Sequence, residues 1–257
     1  MTDALTPAQA AKSAAAARAS TYVKTGMKVG LGTGSTAGWL IKHLGERIRN
    51  EGLDIIGVPT SKQTAAQARE EGIRITTLEE AKWLDLTIDG ADEYDAELAL
   101  IKGGGGALLH EKVVATASDR MIVIADESKF VPQLGAFPLP VEVLGFGMST
   151  TQMLLEEMLE GLDVAGTKAV PRMQDGALFV TDEGNHILDL HLARIGNARQ
   201  LSLVLNQVPG VVENGLFVDI CDLCITAYGD GRVELRDIHS DKVETSPPLN
   251  AFTDIAD

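Results

Sequence analysis

The sequence predicts an α/β protein: a doubly wound, Rossmann-like, mostly parallel sheet with a second, smaller α+β domain of the ferredoxin-like kind. Three observations predict it. Short apolar runs alternate with helical stretches through the first half of the chain. Polar residues and glycines gather where three of those runs end, at Leu31, Ile88 and Ala125, and right-handed crossovers put such ends on one edge of a parallel sheet. After Phe137-Pro138-Leu139-Pro140 the alternation changes to a strand, helix, strand, hairpin, helix, strand order, which suits a small antiparallel layer. The expected division is 1–132 with 219–257 for the Rossmann-like catalytic domain, and 133–218 for the small domain.

Thr6-Pro7 reads as the N-cap and first position of an alanine-rich helix running to about residue 23, with Gly26 ending it. Residues 28–31 form a short strand, which leads into Gly32-Thr33-Gly34-Ser35-Thr36-Ala37-Gly38 and a helix over 39–49. A strand at 54–59, a helix at 62–71 and a strand at 73–76 follow, and 79–82 reads as a polar connector. The apolar run 84–88 is a buried strand with Asp89 at its carboxyl end. Residues 107–117 have helical composition, with Glu111 about one turn in. The strand 121–125 ends in Asp126-Glu127-Ser128-Lys129. In the small domain the pattern gives a strand at 141–144, a helix at 151–159, a strand at 168–172 and a hairpin pairing 178–181 with 186–190. A helix at 198–206 and a strand at 211–218 complete it. The last strands, near 219–228, return to the first sheet. From Gly229 on, a partly ordered tail is expected.

Composition narrows the function. The chain has 37 acidic and 22 basic residues, a formal net charge of -15 and a pI near 4.7. Nucleic acid or an anionic membrane as main partner would need a basic face. An anionic ligand must therefore be attracted locally, against the global field. No apolar run reaches the roughly 18 residues of a membrane span. Asp3 stands where a signal peptide has a basic segment, and Lys12 and Arg18 interrupt the alanines. Cys221 and Cys224 make no disulfide framework, so a reducing cytoplasm is expected. Their C-x-x-C spacing lies in a strand-like run, where positions i and i+3 face opposite ways. Without a second Cys or His pair at zinc spacing they read as buried structural thiols.

Two stretches carry the chemistry. Strand, glycine loop and helix in succession make an anion site, in which backbone N–H groups and the helix dipole face a phosphate. Thr33, Ser35 and Thr36 add hydroxyls, and Gly34 lets the backbone approach. The loop also satisfies a loose dinucleotide fingerprint, but the next strand ends in Thr60-Ser61 rather than in an acid. The G-x-x-x-x-G-K-[ST] loop of an NTPase is absent, and a glycine turn of purely structural use is the plain alternative. The second stretch, residues 89–112, joins Asp89-Gly90-Ala91-Asp92-Glu93 to Lys102-Gly103-Gly104-Gly105-Gly106 and then Glu111. It offers acids and a base on fixed elements, one cation and a glycine floor. Glu93 and Asp95 read as loop surface. His110, about 100° around the helix from Glu111, should face elsewhere. Chelation of a divalent cation by Asp89, Asp92, Glu93 and Asp95 is the rival reading, which the nearby Lys102 disfavours.

These motifs, with Ala125-Asp-Glu-Ser-Lys129, Phe137-Pro-Leu-Pro-Val-Glu-Val143 and 209–217, together resemble ribose-5-phosphate isomerase type A from about Lys12 through Tyr228. The resemblance implies interconversion of D-ribose 5-phosphate and D-ribulose 5-phosphate, a step of the non-oxidative pentose phosphate pathway, without metal or organic cofactor. It implies Glu111 as the base, and Lys102 with the glycine backbone of Gly103, Gly104 and Gly105 as partners of the oxyanion. Asp89 would help to open the sugar ring, with Gly90 and Ala91 beside it, and Asp92 would bind hydroxyls. Thr33, Gly34, Ser35 and Thr36 would hold the phosphate, and Lys12 and Lys129 match positions where the family brings lysines to the ligand. A homodimer is the expected assembly. A non-catalytic sugar-phosphate sensor, an acyl-CoA transferase and an amino-sugar-phosphate deaminase remain open on the residues alone. A transferase would form a covalent intermediate, and a deaminase would release ammonia.

Overall fold

The computed structural model describes residues 5–240 and 242–246. In chain order its helices are α1 (Pro7–Ser20), α2 (Ser35–Glu51), α3 (Lys62–Glu70), α4 (Leu78–Ala81), α5 (Leu108–Thr116), α6 (Met148–Leu159) and α7 (Ala198–Leu205). Its strands are β1 (Lys28–Leu31), β2 (Ile56–Pro59), β3 (Arg74–Ile75), β4 (Leu86–Gly90), β5 (Glu93–Tyr94), β6 (Leu100–Ile101), β7 (Met121–Asp126), β8 (Leu139–Val143) and β9 (Lys168–Pro171). Then come β10 (Met173–Gln174), β11 (Ala177–Leu178), β12 (His186–His191), β13 (Val211–Asn214), β14 (Leu216–Phe217), β15 (Leu223–Ala227), β16 (Val233–Asp237) and β17 (Val243–Ser246). They fall into two compact units. One holds the described residues up to Gly90, then Val113–Lys129 and those from Ile220 on; the other holds Ala91–Lys112 and Phe130–Asp219.

The first unit is the doubly wound sheet. Its strand order is β17-β16-β15-β7-β4-β1-β2-β3, and the six strands from β15 to β3 run parallel. Continuous apolar runs build this core because both faces of a parallel sheet are covered. Leu31, Ile88, Ile122, Ile124 and Ile225 are all sealed from solvent. The order reverses between β1 and β4, and at such a switch point ligands bind beyond the carboxyl ends of the strands. A capping box between Thr6 and Gln9 starts α1. Ala11, Ala15, Ala16 and Ala19 pack that helix into the core. It stops at Ser20, a little before the expected end. Helix α2 begins four residues earlier than its composition suggests, at Ser35. The polar connector expected at 79–82 overlaps the short helix α4, which the Thr77 side chain caps.

The second unit carries the ferredoxin-like layer. Strands β8, β9, β12 and β13 pair in the order β13-β8-β12-β9, antiparallel throughout, with α6 and α7 as the two crossovers. Leu139, Val141, Leu155, Leu159, Leu188, Leu190, Leu201 and Leu205 form its core. Pro140 does not break β8, since it lies one residue inside the strand's start, where a missing N–H removes at most one ladder bond.

Four expectations are corrected. The hairpin pairing 178–181 with 186–190 does not form: β12 pairs with β8 and β9 instead. The tight hairpin is β10–β11, turned by Asp175 (φ 51°) and Gly176 (φ 81°), an Asp-Gly pair suited to a two-residue turn. The run 211–218 is two strands split by Gly215, β13 in the four-stranded sheet and β14 against β6. That pairing draws β5 and β6 into the second unit, so 91–112 leave the domain to which the sequence pattern assigned them. Finally, the chain after Gly229 continues as β16, antiparallel to β15, and β17, antiparallel to β16; residues 241 and 247–257 of the expected tail lie outside the described residues.

Val233 and Leu235 of β16 belong to the core of the first unit. Leu235→Ala should lower the unfolding free energy by about 2–5 kcal/mol, the usual cost of emptying a buried leucine site. Urea titration followed by circular dichroism measures it.

Candidate active site

In the first unit, the glycine loop links β1 to α2 beside the end of β4. Asp89 is 1% exposed and lies inside β4, one residue short of its end. Its Oδ1 accepts the N–H of Thr33 at 3.1 Å and that of Gly90 at 2.7 Å. The carboxylate presses against Gly32, where a Cβ would stand 2.0 Å from Asp89 Oδ1, so that position takes glycine to make room for the acid. Gly34 is the N-cap of α2 in a conformation open to glycine (φ 110°), and no side chain caps the helix there. The first-turn N–H groups and the positive end of the dipole thus face outward, as an anion requires. Lys12, brought over on α1, donates to Ser35 Oγ at 3.0 Å and adds a cation to the loop. The Thr33 hydroxyl is instead turned toward Thr60 (2.8 Å), Ser61 (2.9 Å) and Thr64 (3.2 Å), and it braces the loop. Lys129 sits in the 3₁₀ turn after β7.

In the second unit, Lys102 follows the end of β6, and its N–H goes to Gly215 O at 2.9 Å. Lys102 Nζ and Glu111 Oε2 stand 3.4 Å apart, with their side chains 3% and 4% exposed. Between them in sequence runs the glycine loop. Gly103 takes φ 104°, and a Cβ there would meet Leu108 at 2.8 Å. Asp92 Oδ2 accepts the Gly104 N–H at 2.7 Å. His110 pairs with Glu183 at 2.8 Å, away from the Lys102–Glu111 pair. Asp89 lies one residue before the end of the first unit's opening segment, and Asp92 is the second residue of the other unit.

Two acids read as loop surface are structural instead. Glu93 is 4% exposed and accepts the N–H groups of Gly135 (2.8 Å) and Phe137 (2.5 Å). Asp95 closes a turn by accepting from Glu97 (3.1 Å) and Ala99 (2.9 Å), and burial raises its pKa. The four acids once grouped for chelation thus each hold backbone N–H groups. Cys221 and Cys224 are buried and unbridged, and desolvation pushes the Cys221 thiol well up. Cys221 lies before β15 rather than in it.

Three residues escaped the sequence reading. Phe217 is fully buried, with its ring 5.5 Å from Lys102 Nζ and 5.0 Å from Lys112 Nζ. Lys112 is bound to Glu213 Oε1 (2.9 Å) and Asn214 O (2.6 Å). Arg172 reaches the glycine loop from the end of β9. An aromatic and an arginine far along the chain carry no local motif; only the Glu111-Lys112 dipeptide hinted at a second cation.

The sequence model of the ribose 5-phosphate isomerase A (phosphoriboisomerase A) family matches residues 56–231. A ribose-5-phosphate isomerase A of Ruegeria pomeroyi is 63% identical over 262 aligned positions, covering 100% of both chains. The chain belongs to the ribose 5-phosphate isomerase A family. A family relative from Roseobacter denitrificans is 60% identical, again over 100% of both chains. Among solved structures, ribose 5-phosphate isomerase of Plasmodium falciparum superposes with a TM-score of 0.83 at 34% identity, covering 93% of this chain and 98% of that one. A D-ribose-5-phosphate isomerase in complex with phospho-erythronic acid gives a TM-score of 0.79 at 36% identity, covering 92% and 97%. The α/β fold with its second small domain is that of the family.

The Lys112–Glu213 pair has a pH signature. Burial lowers the pKa of Lys112. Burial alone would raise that of Glu213, but the charge and hydrogen bond of Lys112 outweigh it and bring the carboxyl below its ordinary 4.5. A depressed carboxyl stabilises the fold above its ordinary pKa, and that contribution is lost as pH falls through the lowered one. Glu213→Gln should therefore destabilise by about 1–3 kcal/mol near neutral pH. The gap to the native chain should close in acid, as urea midpoints across the pH range would register.

Proposed function

We propose that this chain interconverts D-ribose 5-phosphate and D-ribulose 5-phosphate through an enediolate, without metal or organic cofactor. The observation that carries the reading is the buried Lys102–Glu111 pair beside a glycine loop, in a chain 63% identical to a ribose-5-phosphate isomerase A. Aldose–ketose isomerisation needs one base to move a proton and a cation or N–H group to meet the charge that develops on oxygen. Glu111 takes the proton from C2 of the open-chain aldose. The electron pair left behind makes the C1–C2 enediolate, whose oxygen charge Lys102 and the glycine backbone meet. A hydroxyl proton passes from O2 to O1, a transfer that falls to Asp89, and Glu111 returns its proton at C1, giving the ketose with no net change in the enzyme. The low dielectric around a buried ammonium makes its attraction far stronger than in water.

The other roles follow from local chemistry. The uncapped start of α2, with Gly34, Ser35, Thr36 and Lys12, suits the substrate's phosphate, and Thr33 shapes that loop. Lys129 adds a further cation at the carboxyl end of β7. Asp89, fixed under Gly32, is the acid for ring opening, with Gly90 and Ala91 at its side, and Asp92 is the partner of sugar hydroxyls. Two unbridged buried thiols fit a reducing cytoplasm. A homodimer is supported by apolar side chains left bare on the second unit, above all Phe146, which is 94% exposed; sedimentation velocity reads the mass.

Protein stripped with EDTA should convert D-ribose 5-phosphate to ketopentose at full rate, and Glu111→Gln should lose about 10²–10⁴-fold in kcat. No turnover by the native chain would favour a sugar-phosphate sensor. Activity lost to EDTA and restored by a divalent ion would return the acids to metal binding.

A further inference from the structure

Arg172 follows β9, and its own N–H is held by Ile187 O at 2.9 Å. Its guanidinium is gripped in fork fashion by Asp189, Nε to Oδ2 at 2.9 Å and Nη2 to Oδ1 at 2.5 Å. Both side chains are largely buried, at 14% and 20% exposure. The fork leaves Nη1 facing one way, and it donates to two successive carbonyls, Gly103 O at 2.7 Å and Gly104 O at 3.1 Å. The Phe179 ring lies 5.9 Å from the guanidinium carbon. So a planar cation, oriented by a carboxylate, pins two peptide groups of the loop that follows Lys102.

That contact dictates where the loop's N–H groups point. The chain has no cis peptide bond among its described residues, and in a trans peptide the C=O and the next N–H point in opposite directions. With Gly103 O on Arg172, the Gly104 N–H must point away, and it does so onto Asp92 Oδ2 at 2.7 Å. With Gly104 O on the same nitrogen, the Gly105 N–H is turned away as well. Two successive N–H groups on one side form a small concavity suited to anionic oxygen. Within the glycine run, one turn bond, Gly106 N–H to Gly103 O at 2.9 Å, helps to keep this arrangement, and glycines add little stiffness beyond it. We infer that Arg172, oriented by Asp189, is a positioning residue for the isomerisation: it holds the Gly103–Gly105 backbone so that the Gly105 N–H is preorganised as a donor to the enediolate oxygen. The inference rests on the isomerase reading and adds to it a residue that never touches substrate.

The experiment compares native chain, Arg172→Gln, Arg172→Lys and Asp189→Asn. It reads kcat and KM for D-ribose 5-phosphate and the affinity for phospho-erythronic acid, whose carboxylate stands in for the enediolate oxygens. Arg172→Gln should lose about tenfold to a hundredfold in kcat with KM changed by less than about threefold, since misplacing a donor costs the transition state more than the ground state. Acid affinity should fall in step with kcat/KM. Arg172→Lys should recover little, because an ammonium keeps the charge but lacks the planar fork. Asp189→Asn should show the same pattern more weakly, and it carries the test if Arg172→Gln does not fold. A variant that melts earlier yet keeps native kcat and acid affinity overturns the inference, as does one in which KM rises and kcat does not fall. A native chain that neither turns over nor binds the acid overturns the isomerase reading itself.

Discussion

Two opposite charges, Lys102 and Glu111, lie 3.4 Å apart with almost no access to water. Removing such groups from solvent costs several kcal/mol per ion, and their mutual attraction offsets this only where the surroundings are well arranged. Much of the second unit can be read as that arrangement. The backbone of Lys102 is tied to Gly215, whose position between β13 and β14 splits one apolar run into two strands. The ring of Phe217 stands beside the ammonium, where its quadrupole replaces part of the lost hydration. Glu111 rides on α5, a rigid element, rather than on a loop.

The first unit solves a related problem by other means. Asp89 is a buried acid that accepts the N–H groups of Thr33 and Gly90. Backbone N–H groups stabilise a carboxylate with partial charges alone. The neighbouring glycine is then a steric necessity as much as a ligand-binding feature, since any larger residue at position 32 would overlap the acid.

The parallel sheet was legible because its strands are buried on both faces and read as plain apolar runs, as at 121–125 and 84–88. The local site motifs were legible for a similar reason: Gly32–Thr36 and Asp89–Glu93 each sit where such a run ends. What stayed hidden depends on distant pairing. Nothing near Glu93 says that its carboxylate will cap Gly135 and Phe137. The polar look of 229–246 hid β16 and β17, in which only alternate residues such as Val233 and Leu235 face the core. The Asp-Gly turn at 175–176 was visible as a pair, but a longer polar stretch at 182–185 drew the hairpin to the wrong place. Arg172 shows the same limit, as its role exists only once β9 and β12 lie side by side.

The path of the chain through the first sheet bears on how the protein is made. Strand β15 pairs Leu223 with Ile122 of β7, and β16 and β17 follow outward from it. Until β15 has left the ribosome, that side of β7 is an open edge with its backbone groups unmatched. A pairing of such sequence separation is slow to close, and an exposed edge strand invites intermolecular contact while it waits. The segments of the second unit end at Asp219, so its ladders can be complete before the first sheet has received its last strands. During synthesis, then, the ladders of the small unit can be complete while β7 still waits for β15.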